Sequence, residues 1–128
     1  MLYSRGLYAD LEKQAKHIIE RIDSGRFGYE ATSGRYASFY LGQMYEARKK
    51  LDEAKKYYLL AVKFSEQNGA TETGYYLYSL IALGEISQAQ GNKKEAKKYF
   101  NEVKKKSGRK DEAFKEAKKR LKKLEKGD

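Results

Sequence analysis

Apolar residues recur along this chain at spacings of three and four, broken at intervals by short polar runs. Such spacing predicts amphipathic helices. Leu11, Ala15, Ile18, Ile19 and Ile22 place a helix of about 16 residues over 7–22, with Asp10 and Glu12 in its first turn, where acids are favoured, and Gly25 as its stop. Further helices are predicted over 30–47, 51–67, 71–90, 93–106 and 111–126. Arg48-Lys49-Lys50, Asn68-Gly69, Gln90-Gly91-Asn92 and Gly108 punctuate them, and Asn92 is placed to cap the helix that follows it. In the last helix Phe114, Ala117, Leu121 and Leu124 form one narrow apolar stripe among lysines, the pattern of a terminal capping helix. Asp111 and Glu116 precede Lys115 and Arg120 by four residues, which adds a few tenths of a kcal/mol per pair.

One pattern occurs twice. Leu41-Gly42 is followed by Tyr45, Leu51, Ala54, Tyr58 and Ala61; Leu83-Gly84 is followed by Ser87, Lys93, Ala96, Phe100 and Val103 at the same offsets from the glycine, +3, +9, +12, +16 and +19. Each copy spans two predicted helices, so the unit is a helix–turn–helix. A glycine inside a helix costs roughly 1 kcal/mol relative to alanine. Close packing is the expected compensation: Gly42 with Ala54, and Gly84 with Ala96, would sit where two antiparallel helices cross near the short end of the usual 8–10 Å separation, with Tyr58 and Phe100 filling the space beside them.

These residues carry a resemblance. LGQMYEARKKLDEAKKYYLLAV and LGEISQAQGNKKEAKKYFNEV resemble tetratricopeptide repeats, in which Leu-Gly, an aromatic, Ala, an aromatic and Ala stand at these offsets. The usual unit is about 34 residues, whereas Gly42 to Gly84 is 42. The surplus falls in FSEQNGATETG, as in the longer repeats of kinesin light chains and some bacterial regulators. The sequence departs from the family pattern at its Trp position, here Ser38 and Leu80, at the closing Pro, which is absent, and at Ser87 in place of an aromatic. The resemblance implies an all-α, right-handed α-solenoid of antiparallel helix pairs. Residues 1–128 form one domain on this reading: a leading helix in 1–28, repeats over 30–68 and 70–107, and a capping helix over 109–128.

In the resembled family the first helices of successive repeats line a concave groove that receives a peptide or helix. By position, the groove residues are Tyr36, Phe39, Gln43, Glu46 and Ala47 in the first repeat and Tyr78, Ile81, Glu85, Gln88 and Ala89 in the second. Members that clamp a chaperone's terminal carboxylate use Lys, Arg and Asn there; Phe39, Gln43, Tyr78 and Ala82 stand at the matched positions here, so that ligand is rejected. The bland alternative is that aromatics such as Tyr36, Tyr40, Tyr75 and Tyr76 are packing residues, since aromatic stripes at helical spacing are usually core.

Composition narrows the chemistry. With no Cys there is no disulfide, thiolate metal site or cysteine nucleophile. Proline is also absent, where average usage predicts roughly six. His17 is the one histidine and has no second ligand at helical spacing, no phosphate-binding loop occurs, and the acids alternate with lysines in the manner of a wet surface. Neither an enzyme nor a cofactor is expected. No apolar run nears the ~18 residues of a membrane span, and a soluble, cytoplasmic setting is favoured, although a chain entering a helix directly from Met1 is also what an excised fragment shows.

The net charge of +10 is uneven: residues 92–128 hold 16 Lys and Arg against 7 Asp and Glu, leaving only +1 for the rest. The favoured reading is a solubilising outer face, because charge runs usually coat solvated faces and lysine lacks the fork that arginine offers to phosphates. The function expected is thus non-catalytic protein–protein interaction, in a monomer or weak homodimer. Nucleic-acid or anionic-surface binding through the C-terminal lysines is the disfavoured alternative, and a purely structural role as the end of a longer array is a third.

Overall fold

The computed structural model describes residues 12–20, 31–67 and 74–126. All of the elements among them are helices. Residues 12–20 form α1, followed by α2 (Ala31–Ala47), α3 (Leu51–Gln67), α4 (Gly74–Ala89), α5 (Lys93–Lys106) and α6 (Glu112–Lys126). The expected limits of α3 and α5 agree with these. Those of α2, α4 and α6 lie within one to three residues of them, a scatter usual at helix ends. The expected stops at Gly25 and Asn68-Gly69 and the start at Thr71 lie outside the described residues.

Helices pair as neighbours, α2 with α3 and α4 with α5. Each new pair then lies against the last: α4 packs on both α3 and α2, and α6 packs on both α5 and α4. This is the helical solenoid the repeats imply, with α2, α4 and α6 in equivalent places along the stack. Four helices surround α4, which explains why ten of its residues, from Tyr76 to Ser87, are buried. Helix α6 buries Ala113, Ala117 and Leu124, with Leu121 packed against them, while its lysines stay in solvent. Phe114, expected in the stripe, is only half-buried, with Lys104 Nζ 5.8 Å from its ring, and Ala113 takes the buried place.

The helix crossings are more specific than a meeting of glycine with alanine. A Cβ built on Gly42 would lie 2.7 Å from Cδ1 of Tyr58, and one on Gly84 would lie 2.6 Å from Cε1 of Phe100. The aromatic ring therefore occupies the glycine notch itself, rather than the space beside it. Ala54 and Ala96, both fully buried, sit one turn earlier on the same helices as the rings.

Between the paired helices the same turn is built twice. Lys49 N–H donates to the Glu46 carbonyl at 2.9 Å and Lys50 N–H to the Tyr45 carbonyl at 2.9 Å. Seven residues past the second glycine the bonds recur, from Gly91 to Gln88 at 3.0 Å and from Asn92 to Ser87 at 2.8 Å. This is the paired 5→2 and 6→1 closure of a helix ending in a left-handed residue. That residue is Gly91 at φ 82° in one copy and Lys49 at φ 64° in the other. Asn92 then caps α5, its Oδ1 accepting from Glu95 N–H at 3.1 Å while its Nδ2 donates to Glu95 Oε2 at 3.0 Å.

Two substitutions test this account. Lys49→Gly should raise stability by about 1 kcal/mol, since a side chain in the left-handed region costs roughly 1–2 kcal/mol that glycine does not incur. Gly84→Ala sets about 1 kcal/mol of helix propensity against about 1–3 kcal/mol of overpacking. Because Phe100 is fully buried and has nowhere to go, overpacking should win, and urea unfolding should show a net loss.

Candidate partner-binding surfaces

Tyr36 and Tyr78 occupy the same register, six residues before their glycines, on α2 and α4. They are 38% and 42% exposed, whereas Tyr45, Tyr58 and Tyr76 are buried. Gln43, Ala47, Gln88 and Ala89 are also exposed, as a groove lining requires. Ile81, expected among them, is instead 4% exposed and belongs to the core, on a helix with four others packed around it.

Phe39 is half-buried at the centre of an aromatic group. Its ring lies 5.9 Å from Tyr40, 6.0 Å from Tyr58 and 5.6 Å from Tyr75, edge-on in every case. The Arg35 guanidinium lies 5.7 Å from the Tyr75 ring on the same side. Edge-to-face pairs contribute about 0.5–1.5 kcal/mol each beyond area burial. Phe39 is therefore a structural floor between α2 and α4, with Tyr40 and Tyr75 as its rim.

Both inner-face glutamates are engaged within the protein. The Tyr58 hydroxyl donates to Glu46 Oε1 at 2.7 Å, and burial, reinforced by this carboxylate, raises the tyrosine's pKa. Burial also raises the pKa of Glu85, opposed by Arg120, whose Nη2 lies 3.2 Å from Glu85 Oε2. The same guanidinium holds Glu116 through Nε at 2.8 Å. Arg120 thus ties α6 to α4. Its bond to Glu116 was legible as a four-residue spacing, but its bond to Glu85 was not, since that pair is remote in sequence.

At the other end of the stack, Glu12 fastens α1 to α2. Its carboxylate accepts from the Tyr45 hydroxyl at 2.7 Å and from Arg48 at 3.3 Å, and pairs with Lys16 at 2.9 Å. Lys16 and Arg48 lie over the Tyr45 ring at 5.6 Å and 5.9 Å. The Tyr57 ring is stacked on it at 5.5 Å. Beside this clamp, α1 and α2 enclose a largely apolar trough of about 560 Å³, lined by Ala15, Ile18, Leu41 and Met44 and flanked by Tyr36 and Tyr40. Of the residues expected in the groove, Tyr36, Gln43 and Ala47 also line this trough, but sequence reasoning did not single out its α1 side or Tyr40. The available signal was that Tyr40 corresponds to Ala82 in the other copy.

Among the described residues no group of three or more acid, histidine or cysteine side chains is gathered in a way that could hold a metal ion, and no helix is long and apolar enough to cross a membrane. Residues 35–106 match the family model of the tetratricopeptide repeat, which is more than half of the 128-residue chain. The protein belongs to the tetratricopeptide repeat family, whose members are in general non-catalytic modules that bind other proteins or peptides. Searches of curated proteins and of solved structures gave no match.

The Glu12 clamp has a pH signature. The Tyr45 hydroxyl, then Lys16, draw the Glu12 pKa down from the ordinary 4.5 to about 2. A carboxyl depressed in the folded state contributes stability that is complete above its unfolded pKa and is lost as pH falls through the folded one. Glu12→Gln should therefore lower the thermal midpoint at neutral pH, and the gap from wild type should close as the pH is lowered from about 5 to about 2. A gap that stays constant over that range would show that the clamp does not work through this charge.

Proposed function

We propose that this protein is a non-catalytic interaction module, with residues 1–128 acting as one domain, that takes a partner's extended or helical peptide on the inner face of α2 and α4. The observation that carries the reading is the repeated exposure of Tyr36 and Tyr78 at one register on adjacent inner helices. Among the described residues the exposed large hydrophobics are Tyr36, Tyr40, Tyr78 and Leu59, so three of the four lie on those two helices.

The chemistry of the face supports it. Tyrosine offers a large contact area with a polar tip and loses little rotamer freedom on binding. The Phe39 group beneath holds the surface in one shape, and preorganisation lowers the cost of association. Gln43 and Gln88 present amides suited to a peptide backbone. The glutamates at Glu46 and Glu85 act differently, by shaping the floor through Tyr58 and Arg120. A surface of this size fits an affinity in the micromolar range.

Tyr78 is the residue to test, because its exposure lets it be cut back without opening the core. Peptides selected from a random display library on the wild-type protein should lose about tenfold in affinity for Tyr78→Ala, equivalent to ~1.4 kcal/mol, with the circular dichroism spectrum unchanged. Selected peptides that bind both proteins equally would refute the inner-face reading.

A further inference from the structure

The two copies of the repeat differ in what lies against their first helix. In α4, the positions two before and two after the glycine are Ala82 and Ile86, 7% and 1% exposed. The preceding pair α2 and α3 packs against that helix. The same positions in α2 are Tyr40, 54% exposed, and Met44, half-buried. Among the described residues only α1 precedes α2, whereas α4 has both helices of the preceding pair against it, and a trough of about 560 Å³ lies between α1 and α2. The first repeat thus leaves uncovered, beside a large aromatic, positions that the second repeat buries.

We propose that a second copy of this chain covers that surface, the two copies meeting about a two-fold axis with Tyr40 of each set into the trough of the other. An isologous interface needs knob and hole on one patch, and here Tyr40 stands at the edge of a cavity lined by Ala15, Ile18, Leu41 and Met44. The patch is nearly uncharged. Of its eleven lining residues only Arg48 carries a charge, and Glu12 already holds it at 3.3 Å, in a chain that is 36% charged. The clamp of Glu12 on Tyr45 and Arg48 also sets the trough before any partner arrives, which limits the ordering cost.

Charge selects this pairing over others. Nine of the ten net positive charges lie in residues 92–128, at the opposite end of the stack. Two copies joined through α1 and α2 hold those ends apart, beyond the roughly 8 Å over which charges act at physiological salt. Head-to-tail stacking would instead bring the lysine-covered outer face of α6 onto the apolar trough and leave its charges unpaired. The trough shares Tyr36 and Gln43 with the inner face, whereas Tyr78 is not among its lining residues, so a change at Tyr78 tells the two readings apart.

Sedimentation velocity of the full chain from about 5 to 500 µM, a range that spans weak to moderate association, tests it. The mass should rise from 14.8 kDa toward twice that value. Tyr40→Glu, and independently Ala47→Glu at the exposed rim, should weaken association at least tenfold with helicity intact, while Tyr78→Ala should leave it unchanged. A wild-type chain that stays at 14.8 kDa throughout overturns the proposal. In that case, dimerisation on removal of residues 1–11 would assign the trough to that segment, and none would leave it to a different protein. A dimer indifferent to both glutamate variants, or one lost with Tyr78→Ala, would place the interface elsewhere and overturn it equally.

Discussion

Tyr58 over Gly42 and Phe100 over Gly84 set the spacing from which the other contacts of this molecule follow. Each ring lies closer to the glycine Cα than any side chain would allow, so the paired helices are drawn together until the ring is enclosed on all sides. Once that distance is fixed, the connection between the helices has few geometries open to it. Both copies use the same one, down to a left-handed residue seven positions after the glycine. The strain accepted at Lys49 reflects that order of importance. Helix separation dictates the turn, and the turn residue conforms even where its side chain is unsuited to it.

The copies diverge where their surroundings do. Tyr58 carries a hydroxyl and finds Glu46 four residues past the glycine on α2; Phe100 carries none, and the matching position is Gln88, exposed to solvent. A buried hydroxyl without an acceptor costs about 1–3 kcal/mol, so the ring and the residue facing it change together. The polar tie of the second copy is made by other groups. Lys55 of α3 reaches Glu95 of α5 at 2.8 Å, and Ser87 donates to the same carboxylate at 2.9 Å. Gln90 adds a bond to Asp52 at 3.0 Å across the repeats. The apolar crossing is thus shared by the two copies, and the polar network is particular to each.

That division explains what could be read in advance. The helix pairing, the place of the crossings and the Asn92 cap depend on residues close in sequence or on an internal repeat, and small, large and turn residues mark them directly, whereas the stripe of α6 was legible at Ala117 and Leu124 but not at Ala113. The shared register of Tyr36 and Tyr78 was legible for the same reason, although the sequence alone left open whether such tyrosines pack or face outward. Ile81 was expected at the surface and is buried, since register on its own helix says nothing of the four helices that surround it. Glu85 and Arg120, and Glu12 with Tyr45, were illegible on the same ground: single polar pairs far apart in sequence carry no periodicity. The trough between α1 and α2 lay hidden in a difference, Tyr40 against Ala82, that a search for likeness between the copies passes over.

A stack in which each layer touches only its neighbours is weakest at its ends, where a helix has one partner to lose instead of two. Both ends here carry a charge-assisted clamp, Arg120 on Glu85 at one and Arg48 with Tyr45 on Glu12 at the other. Yet the same kind of group sits in opposite settings. Glu85 is buried enough that desolvation outweighs its arginine and its pKa rises, while Glu12 is open enough that its three donors prevail and its pKa falls. The C-terminal clamp lies under a helix whose outer face is lysine. The N-terminal clamp lies beside uncovered apolar surface. Any molecule that covers such a surface binds the folded chain and not the unfolded one, so its binding energy adds to the stability of the layer it covers. In a solenoid each layer rests on its neighbour, and α2, which lines the trough, is also the helix that holds the ring of Tyr58 over Gly42.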